Sequence, residues 1–349
     1  MKAKPSSEQA KRAIAIVADY LRECQVNVAP VSTFGPLRQR EFMGWSRRKF
    51  GHSPSTIARN LSVVSSAFRF GTRLQIVVDG FGNRHEVQLL DSAPVVETQA
   101  ARVAALLDLP EPRAREWLPT FKQFGAFIDR IDKRQENLFR FVILALNTWA
   151  RPEAITDLRV GAQVDFEHGL VDLNPPGRRQ TNKHRPRLPL TTNLRGWLKA
   201  WDADAPLAWD GQAVSVIKKT FKRHAVACGL PRFTQGTIRH FMATQVRRVK
   251  PPVSQEQRDA WLGHDRKRTA EFYESFDPQF LADCRRATEK VIAELQKHAS
   301  RPLSARKSRA SGVETRNAKK PEKAAMPSKA WGRMVGVTGI EPVTPTMST

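Results

Sequence analysis

The sequence predicts a mainly α-helical fold with a small β-sheet, of the α+β class. Apolar residues recur three or four positions apart through most of the chain, which is the spacing of one buried helical face. A strongly apolar stretch at 136–149, with the unbroken apolar run Phe141 to Leu146, predicts a helix that is buried in a core. Short alternating stretches within 74–89 and 163–190 contain turn residues and predict the strands.

The first 95 residues predict one small, mostly helical domain. Ala10, Ile14, Val17 and Leu21 mark the buried face of a first helix. A second helix is predicted from Leu37 to Gly51, and a third from Ser53 to Gly71, where a serine followed by proline is typical of a helix start. The alternation at 74–89, around the turn Asp-Gly-Phe-Gly-Asn, predicts a β-hairpin.

A second domain is predicted at 96–298 and a tail at 299–349. Strands are expected at 163–166, 169–173 and 186–190, and the rest of this domain has helical spacing. The tail is rich in Ser, Ala, Lys and Arg and has few large apolar residues up to position 329, so a disordered basic arm is expected.

The charge of the chain points to a polyanionic partner. There are 58 Lys and Arg against 34 Asp and Glu, a formal net charge of +24. The excess is spread over the chain, with 14 basic against 8 acidic residues in 1–100, 34 against 23 in 101–298 and 10 against 3 in 299–349. Folded domains that are basic throughout favour a protein that binds nucleic acid.

Several classes of protein do not fit the composition. No apolar run approaches the roughly 20 residues of a membrane span, so no membrane partner is expected. The three cysteines are far apart and form no C-x-x-C pair, which favours a reducing cytoplasm. Neither a G-x-x-x-x-G-K nor a G-x-G-x-x-G motif is present, which argues against a nucleotide-driven motor.

Four segments contain residue types that suit chemistry on a phosphate group. They read TWARPEAITDL around Arg151, QTNKHRPRLPLT around Lys183, TIRHFMATQ around Arg239, and WLGHDRKRTAEFY from Trp261 to Tyr273. Only two tyrosines occur in the chain, and Tyr273 follows His264 by nine positions. This ordered set resembles the catalytic domain of the tyrosine recombinase (phage integrase) family over roughly residues 110–290. Residues 1–95 resemble the helical core-binding domain that precedes it in that family.

The resemblance implies a site-specific recombinase that cleaves and rejoins DNA through a 3′-phosphotyrosyl intermediate, integrating or excising a mobile element. It implies Tyr273 as nucleophile, with no cofactor, metal or ATP. Arg151 and Arg239 would bind the phosphate oxygens, and His264 would donate a hydrogen bond to one of them. Lys183 would protonate the leaving oxygen or contact a base edge. The implied partners are double-stranded DNA, three further copies of the chain in a tetramer, and accessory DNA-bending or directionality proteins, in a bacterial nucleoid-associated setting.

The sequence departs from the family pattern at two positions. Gly236 stands where a His or similar side chain usually lies three residues before the second arginine. Either Gln235, Thr237 or a nearby basic residue is the substitute, or the enzyme works more slowly. Ala154 replaces the usual acidic residue three positions after Arg151, with Glu153 one position early. His240 matches a histidine that is frequent in the family and is a candidate for orienting the site.

Other basic residues surround Lys183 in the turn between two predicted strands. These candidate DNA-binding residues are Arg178, Arg179, Arg185 and Arg187. Asp202 and Asp204 are considered as a nuclease metal pair, but further carboxylates do not cluster in the sequence around them, which favours a helix cap or a turn. The helical spacing after Pro278 predicts a terminal helix, and docking on a neighbouring protomer is slightly favoured over docking on its own domain.

Two alternatives to recombination remain open at this point. A catalytically weakened member of the family would keep the fold and charge and act as a DNA-binding protein, with Gly236 marking the decayed site. A relaxing topoisomerase would cut and reseal one strand without exchanging partners, although the helical N-terminal domain and the spacing of the motifs favour recombination.

Overall fold

The computed structural model describes residues 5–26, 30–112, 116–181, 183–264 and 277–305. The chain divides into two compact units, residues 1–118 and 119–349. No helix in these ranges is long and apolar enough to cross a bilayer. Tyr273 and residues 306–349 lie outside the described part, so the expectations for the nucleophile and most of the tail concern residues that are not described.

The first unit contains four helices and one hairpin among its described residues. The elements are α1 (Pro5–Glu23), α2 (Pro36–Phe50), α3 (Pro54–Gly71), β1 (Gln75–Val78), β2 (Arg84–Val87) and α4 (Ala100–Leu106). The predicted start of α3 is confirmed, since Ser53 accepts a hydrogen bond from the Thr56 amide and Pro54 follows it. Gly51 ends α2 in the left-handed conformation at φ 64°. The predicted hairpin is also present, with antiparallel pairing from Gln75 with Val87 to Val78 with Arg84.

The compact first unit extends past residue 95. Val103 of α4 is fully buried in the same core as Phe42, Ile57 and Leu61. Because α4 packs on α3, the structure divides at Leu118 rather than at the predicted boundary of 95.

The second unit is a helical body with small antiparallel sheets. Its elements are α5 (Phe121–Asp129), α6 (Glu136–Thr148), α7 (Pro152–Thr156), α8 (Val160–Gln163), β3 (Val164–Asp165), β4 (Leu170–Asp172), β5 (Arg187–Pro189), α9 (Thr192–Trp201), β6 (Ala208–Trp209), β7 (Gln212–Ala213), α10 (Lys218–Ala227), α11 (Gln235–Arg248), α12 (Gln255–Leu262) and α13 (Ala282–Gln296). The predicted strands form one sheet in the order β3-β4-β5, and β6 pairs with β7 in a second hairpin that the sequence did not predict.

The core of this unit confirms that α6 is a buried helix, because the side chains from Phe141 to Thr148 are all buried. Helix α13 packs against α5, α6, α11 and α12 of the same unit. Its Ala287, Thr288 and Leu295 are fully buried. In the single chain the apolar face of this helix therefore covers the core of its own unit, and docking on a neighbouring protomer stays a prediction.

Residues 299–305 are not part of a disordered arm, which corrects the predicted start of the tail. The backbone amides of Ser300 and Arg301 donate to the carboxylate of Asp129 at 2.9 and 2.8 Å. The Arg301 guanidinium pairs with Glu136 at 2.8 Å and lies 3.6 Å from the centre of the Phe139 ring. Leu303 is fully buried. Burial and ion pairing together hold this segment against α5 and α6.

Candidate active site

Arg239 joins three helices at one point. It lies in the first half of α11 and donates from Nη1 to the carbonyl oxygen of Trp149 at 2.8 Å and from Nη2 to that of Leu262 at 2.6 Å. Trp149 is the C-cap of α6 and Leu262 is the last residue of α12. Carbonyls at helix C-termini lack intrahelical partners and attract cations, so the guanidinium ties both ends to α11. Burial, with the nearby charge of Arg151, lowers the pKa of Arg239 to about 10, which leaves it a cation at neutral pH.

Two buried tryptophans support these carbonyl anchors. The rings of Trp149 and Trp261 are 5.4 Å apart between centroids, and both side chains are almost fully buried. Trp149, at the end of α6, supplies one of the two carbonyl oxygens that Arg239 contacts. Trp261, near the end of α12, precedes Leu262, which supplies the other. The sequence could not predict the carbonyl oxygens that hold Arg239, because every residue type has a backbone carbonyl.

Arg151 is the N-cap of the short helix α7 and reaches the loop between β4 and β5. Its Nη1 donates to the His184 carbonyl oxygen at 2.7 Å. Burial lowers the pKa of Arg151, and Arg185 adds to this effect while Glu153 opposes it. Glu153 is exposed on α7. Its carboxylate, one position earlier than in the family pattern, still raises the pKa of Arg151 through its negative charge.

Gly263 brings the end of α12 against the same loop. It is the left-handed C-cap of α12 at φ 62°. A Cβ at this position would lie 2.7 Å from the His184 carbonyl oxygen and 2.8 Å from Cδ of Pro186. The expected close backbone approach at this glycine is present, and only glycine fits both the conformation and the space.

His264 follows this glycine and contacts Arg239. Its Nε2 lies 3.2 Å from Nη2 of Arg239, and its Nδ1 lies 3.5 Å from a carboxylate oxygen of Asp259. Burial and Arg239 lower the pKa of His264, and Asp259 opposes the shift. Asp259 was not predicted as a site residue, because its only signal in the sequence is its place one helical turn before the L-G-H motif.

Lys183 is exposed in the loop between β4 and β5, as expected for a turn lysine. Arg179 and Arg187 are also exposed, and Arg178 is half-buried with its Nη1 2.6 Å from Oδ1 of Asn174. Arg185 differs from the prediction of a DNA-binding side chain. Its side chain is only 10% exposed, and its Nη2 pairs with the carboxylate of Asp157 at 2.7 Å.

The candidate supporting residues around Arg239 have different surroundings. His240 is exposed, so it does not pack in the core. Thr237 is buried and completes a capping box with Thr234, which occupies its hydroxyl group. Gln235 is half-buried in the first turn of α11. A Cβ at Gly236 would meet no atom within 4 Å, so a side chain at that position has room.

Asp202 and Asp204 have structural surroundings. Asp202 is the C-cap of α9, and Asp204 accepts the Gly161 amide at 2.8 Å. In the part of the chain that the structure describes, no group of three or more His, Cys, Asp and Glu residues is arranged to hold a metal ion.

The site therefore brings two guanidiniums and one imidazole around the His184 carbonyl and the end of α12. Arg239 contacts His264 directly, whereas Arg151 contacts the His184 carbonyl oxygen, against which Gly263 packs. Lys183 is in the loop that contains His184, one residue away. Clustered cations of this kind suit a phosphodiester group whose negative charge increases during reaction.

Sequence comparison finds no match to a family model or to a curated protein. Comparison of structures does find proteins of similar fold. The Tn1549 transposon integrase in complex with transposon right end DNA is 14% identical, with a TM-score of 0.56 over 83% of this chain and 95% of that chain. The chain has the tyrosine recombinase fold. A lambda integrase dimer bound to a COC′ core site is 13% identical and shares this fold with a TM-score of 0.53, over 79% of this chain and 92% of that one. The expected fold class is confirmed.

Proposed function

We propose that this chain is a site-specific DNA recombinase that cleaves and rejoins strands through a 3′-phosphotyrosyl link at Tyr273. The observation that carries the proposal is the convergence of Arg151, Arg239 and His264 at one point of a recombinase fold. Tyr273 enters from its sequence position, nine residues after His264.

The two arginines stabilise the transition state. Each terminal guanidinium nitrogen carries two hydrogens, so the carbonyl contacts of Arg239 and Arg151 orient the groups and leave other N–H groups for phosphate oxygens. Preorganised donors in a partly buried site act more strongly than donors in water, because they need not reorganise during the reaction.

The reaction exchanges one phosphodiester bond for another. The phenolic oxygen of Tyr273 forms a bond to phosphorus, the bond from phosphorus to O5′ breaks, and the phenolic proton passes to solvent. The ammonium group of Lys183 gives a proton to the departing O5′. A 5′-hydroxyl then reverses the step and restores DNA. Because bond energy is conserved, no ATP is consumed, and the guanidiniums provide the positive charge that a metal ion provides in other phosphoryl-transfer enzymes.

Double-stranded DNA is the proposed partner. The net charge of +24 supports this choice, as do the DNA complexes of the Tn1549 and lambda integrases that share the fold. By likeness to these proteins, the proposal extends to integration or excision of a mobile element by four copies of the chain on DNA, with accessory DNA-bending or directionality proteins. Arg178, Arg179 and Arg187 are proposed to contact the DNA backbone.

A covalent-adduct assay tests this function. The wild-type protein, incubated with a nicked duplex that carries its attachment site and traps the cleaved state, should form an adduct that survives denaturation. Tyr273→Phe should form none. Tyr20→Phe is the matched control, because Tyr20 is buried in the first unit and burial raises its pKa. DNA binding by the wild-type protein without any adduct would favour the weakened, DNA-binding alternative.

A further inference from the structure

The loop that carries Lys183 is closed by a side chain that imitates the backbone. Gln180 donates from Nε2 to the Arg185 carbonyl oxygen at 2.8 Å and accepts the Arg185 amide at Oε1 at 3.1 Å. This reciprocal pair resembles one rung of an antiparallel ladder and fixes the ends of the segment 181–184. Inside it, the Lys183 amide donates to Oγ1 of Thr181 at 3.2 Å.

The closed loop is attached to α7 at two consecutive residues. Arg151, the N-cap of α7, donates to the His184 carbonyl oxygen at 2.7 Å. Asp157, the C-cap of α7, pairs with Nη2 of Arg185 at 2.7 Å. A single contact would allow the loop to pivot, whereas contacts at both ends of one short helix fix its orientation relative to Arg151.

The burial of Arg185 separates its role from that of the exposed arginines nearby. Its side chain is 10% exposed, and its Nη1 is buried without a hydrogen-bond partner in the described structure. A buried guanidinium that is only partly satisfied lowers stability. Arg185 therefore holds the turn at the expense of stability. Such a loss of stability is typical of residues that hold a functional group in place.

We propose that Gln180, Arg185 and Asp157 are positioning residues that set the place of the Lys183 ammonium beside the phosphate gripped by Arg151. This inference rests on the proposed function, because it assigns these residues to the protonation of O5′. The positioning role of Arg185 replaces the DNA contact predicted from its sequence, and Gln180 and Asp157 have no such signal in the sequence.

A change of leaving group tests the assignment. In a substrate whose bridging 5′ oxygen is replaced by sulfur, the leaving thiolate is far less basic than an alkoxide and needs no proton. Loss of proton donation should therefore slow cleavage of the oxygen substrate and leave cleavage of the sulfur substrate nearly unchanged. Lys183→Ala should show this pattern and defines the reference, whereas Arg151→Ala and Arg239→Ala should be slow on both substrates.

The decisive variants are Gln180→Leu and Arg185→Met, with Arg195→Met as control. Gln180 is exposed, so Gln180→Leu should fold even if Arg185→Met does not. Arg195 donates to the Phe166 carbonyl oxygen at 2.6 Å in the β3–β4 turn of the same sheet, away from Lys183. Both test variants should cleave the oxygen substrate about 10-fold to 100-fold more slowly and the sulfur substrate within about 3-fold of wild type. Arg195→Met should keep the wild-type ratio of the two rates.

Each other outcome has a distinct meaning. If Gln180→Leu and Arg185→Met slow both substrates equally, or slow neither, the positioning role is wrong while the proposed function stands. If the wild-type protein forms an adduct with neither substrate, the proposed function and the positioning role both fail.

Discussion

Nη2 of Arg239 lies 3.2 Å from Nε2 of His264 at the C-terminal end of α12. A guanidinium can only donate hydrogen bonds, so Nε2 must be the acceptor and the imidazole must be neutral. The remaining hydrogen is then on Nδ1, which faces Asp259, so this arrangement does not supply the hydrogen bond from His264 to a phosphate oxygen that the resemblance implied. The lowered pKa of His264 also favours the neutral imidazole, because burial and Arg239 both disfavour the imidazolium.

The neutral form of His264 predicts a specific pH dependence of cleavage. Because its pKa lies below the ordinary value of about 6.5, the imidazole stays neutral down to mildly acidic pH. Adduct formation should be constant from neutral pH to about pH 8 and should fall as pH drops through the His264 pKa. The measurement is the single-turnover rate against pH, with His264→Gln expected to remove this acidic limb. A rate that rises as the imidazole is protonated would contradict the neutral assignment.

Replacing either arginine should affect chemistry more than binding. In the proposed function, Arg151→Ala or Arg239→Ala removes donors to one phosphate, so cleavage should slow by roughly 10²-fold or more. Binding depends on many phosphate contacts and should be largely retained. Gel-shift affinity and adduct rate, measured on the same duplex, separate the two effects. Unchanged cleavage with weakened binding would reassign these arginines to DNA positioning.

Gly263→Ala should disturb the site through two effects, and a second glycine separates them. The left-handed conformation costs a non-glycine residue roughly 1–2 kcal/mol. At Gly263 the new Cβ would also press on the His184 carbonyl oxygen, whereas at Gly229, with φ 74°, it would meet nothing within 4 Å. Urea unfolding should show a larger loss for Gly263→Ala than for Gly229→Ala, and only the former should slow cleavage. Equal effects would mean that the close approach has no role.

Gly236→His tests whether a donor is missing from the site. A Cβ at this position would meet no atom within 4 Å, and the backbone there is not left-handed, so the position accepts a side chain. Because the Thr237 hydroxyl is occupied in its capping box, Gln235 or a nearby basic residue is left as the candidate donor, and Gln235 is the one tested here. If Gln235 does not compensate, Gly236→His should accelerate cleavage. If it does, Gln235→Ala should slow cleavage instead. Unchanged rates in both variants would mean that this position does not contribute and that the alignment around Arg239 is wrong.

Two truncations should separate the docked segment from the residues after it. Ending the chain at Ala299 removes Arg301 and buried Leu303, so the second unit should lose about 2–4 kcal/mol of unfolding free energy. Ending it at Ala305 should preserve stability and reduce the salt dependence of DNA binding, because nine Lys and Arg residues are lost. Equal stability of the two forms, measured by urea unfolding, would show that the docked segment contributes nothing.

Local signals in the sequence predicted local structure well. The Ser53 cap, the Gly51 stop and the 74–89 hairpin depend on residues within a few positions of one another, and the structure confirms them. The apolar run that forms α6 was also predictable, because a helix that is apolar on all sides must be buried.

Features that depend on distant partners could not be predicted in the same way. Arg301 pairs with Glu136, which lies 165 positions earlier in the chain. The sequence therefore predicted residues 299–305 only as the start of a basic tail. Arg185 was assigned to DNA because its partner Asp157 lies 28 positions away. The carbonyl oxygens that hold Arg239 and Arg151 belong to Trp149, Leu262 and His184, and any residue type supplies a carbonyl.

Mapping of the covalent link tests the central claim most directly. The adduct from a trapped duplex would be digested with protease and nuclease, and the peptide that retains a nucleotide would be sequenced by mass spectrometry. The proposed mechanism predicts a nucleotide 3′-phosphate on Tyr273, together with a released strand that ends in a 5′-hydroxyl. A link at Tyr20 or at any other residue, or a released strand with a 5′-phosphate, would contradict it.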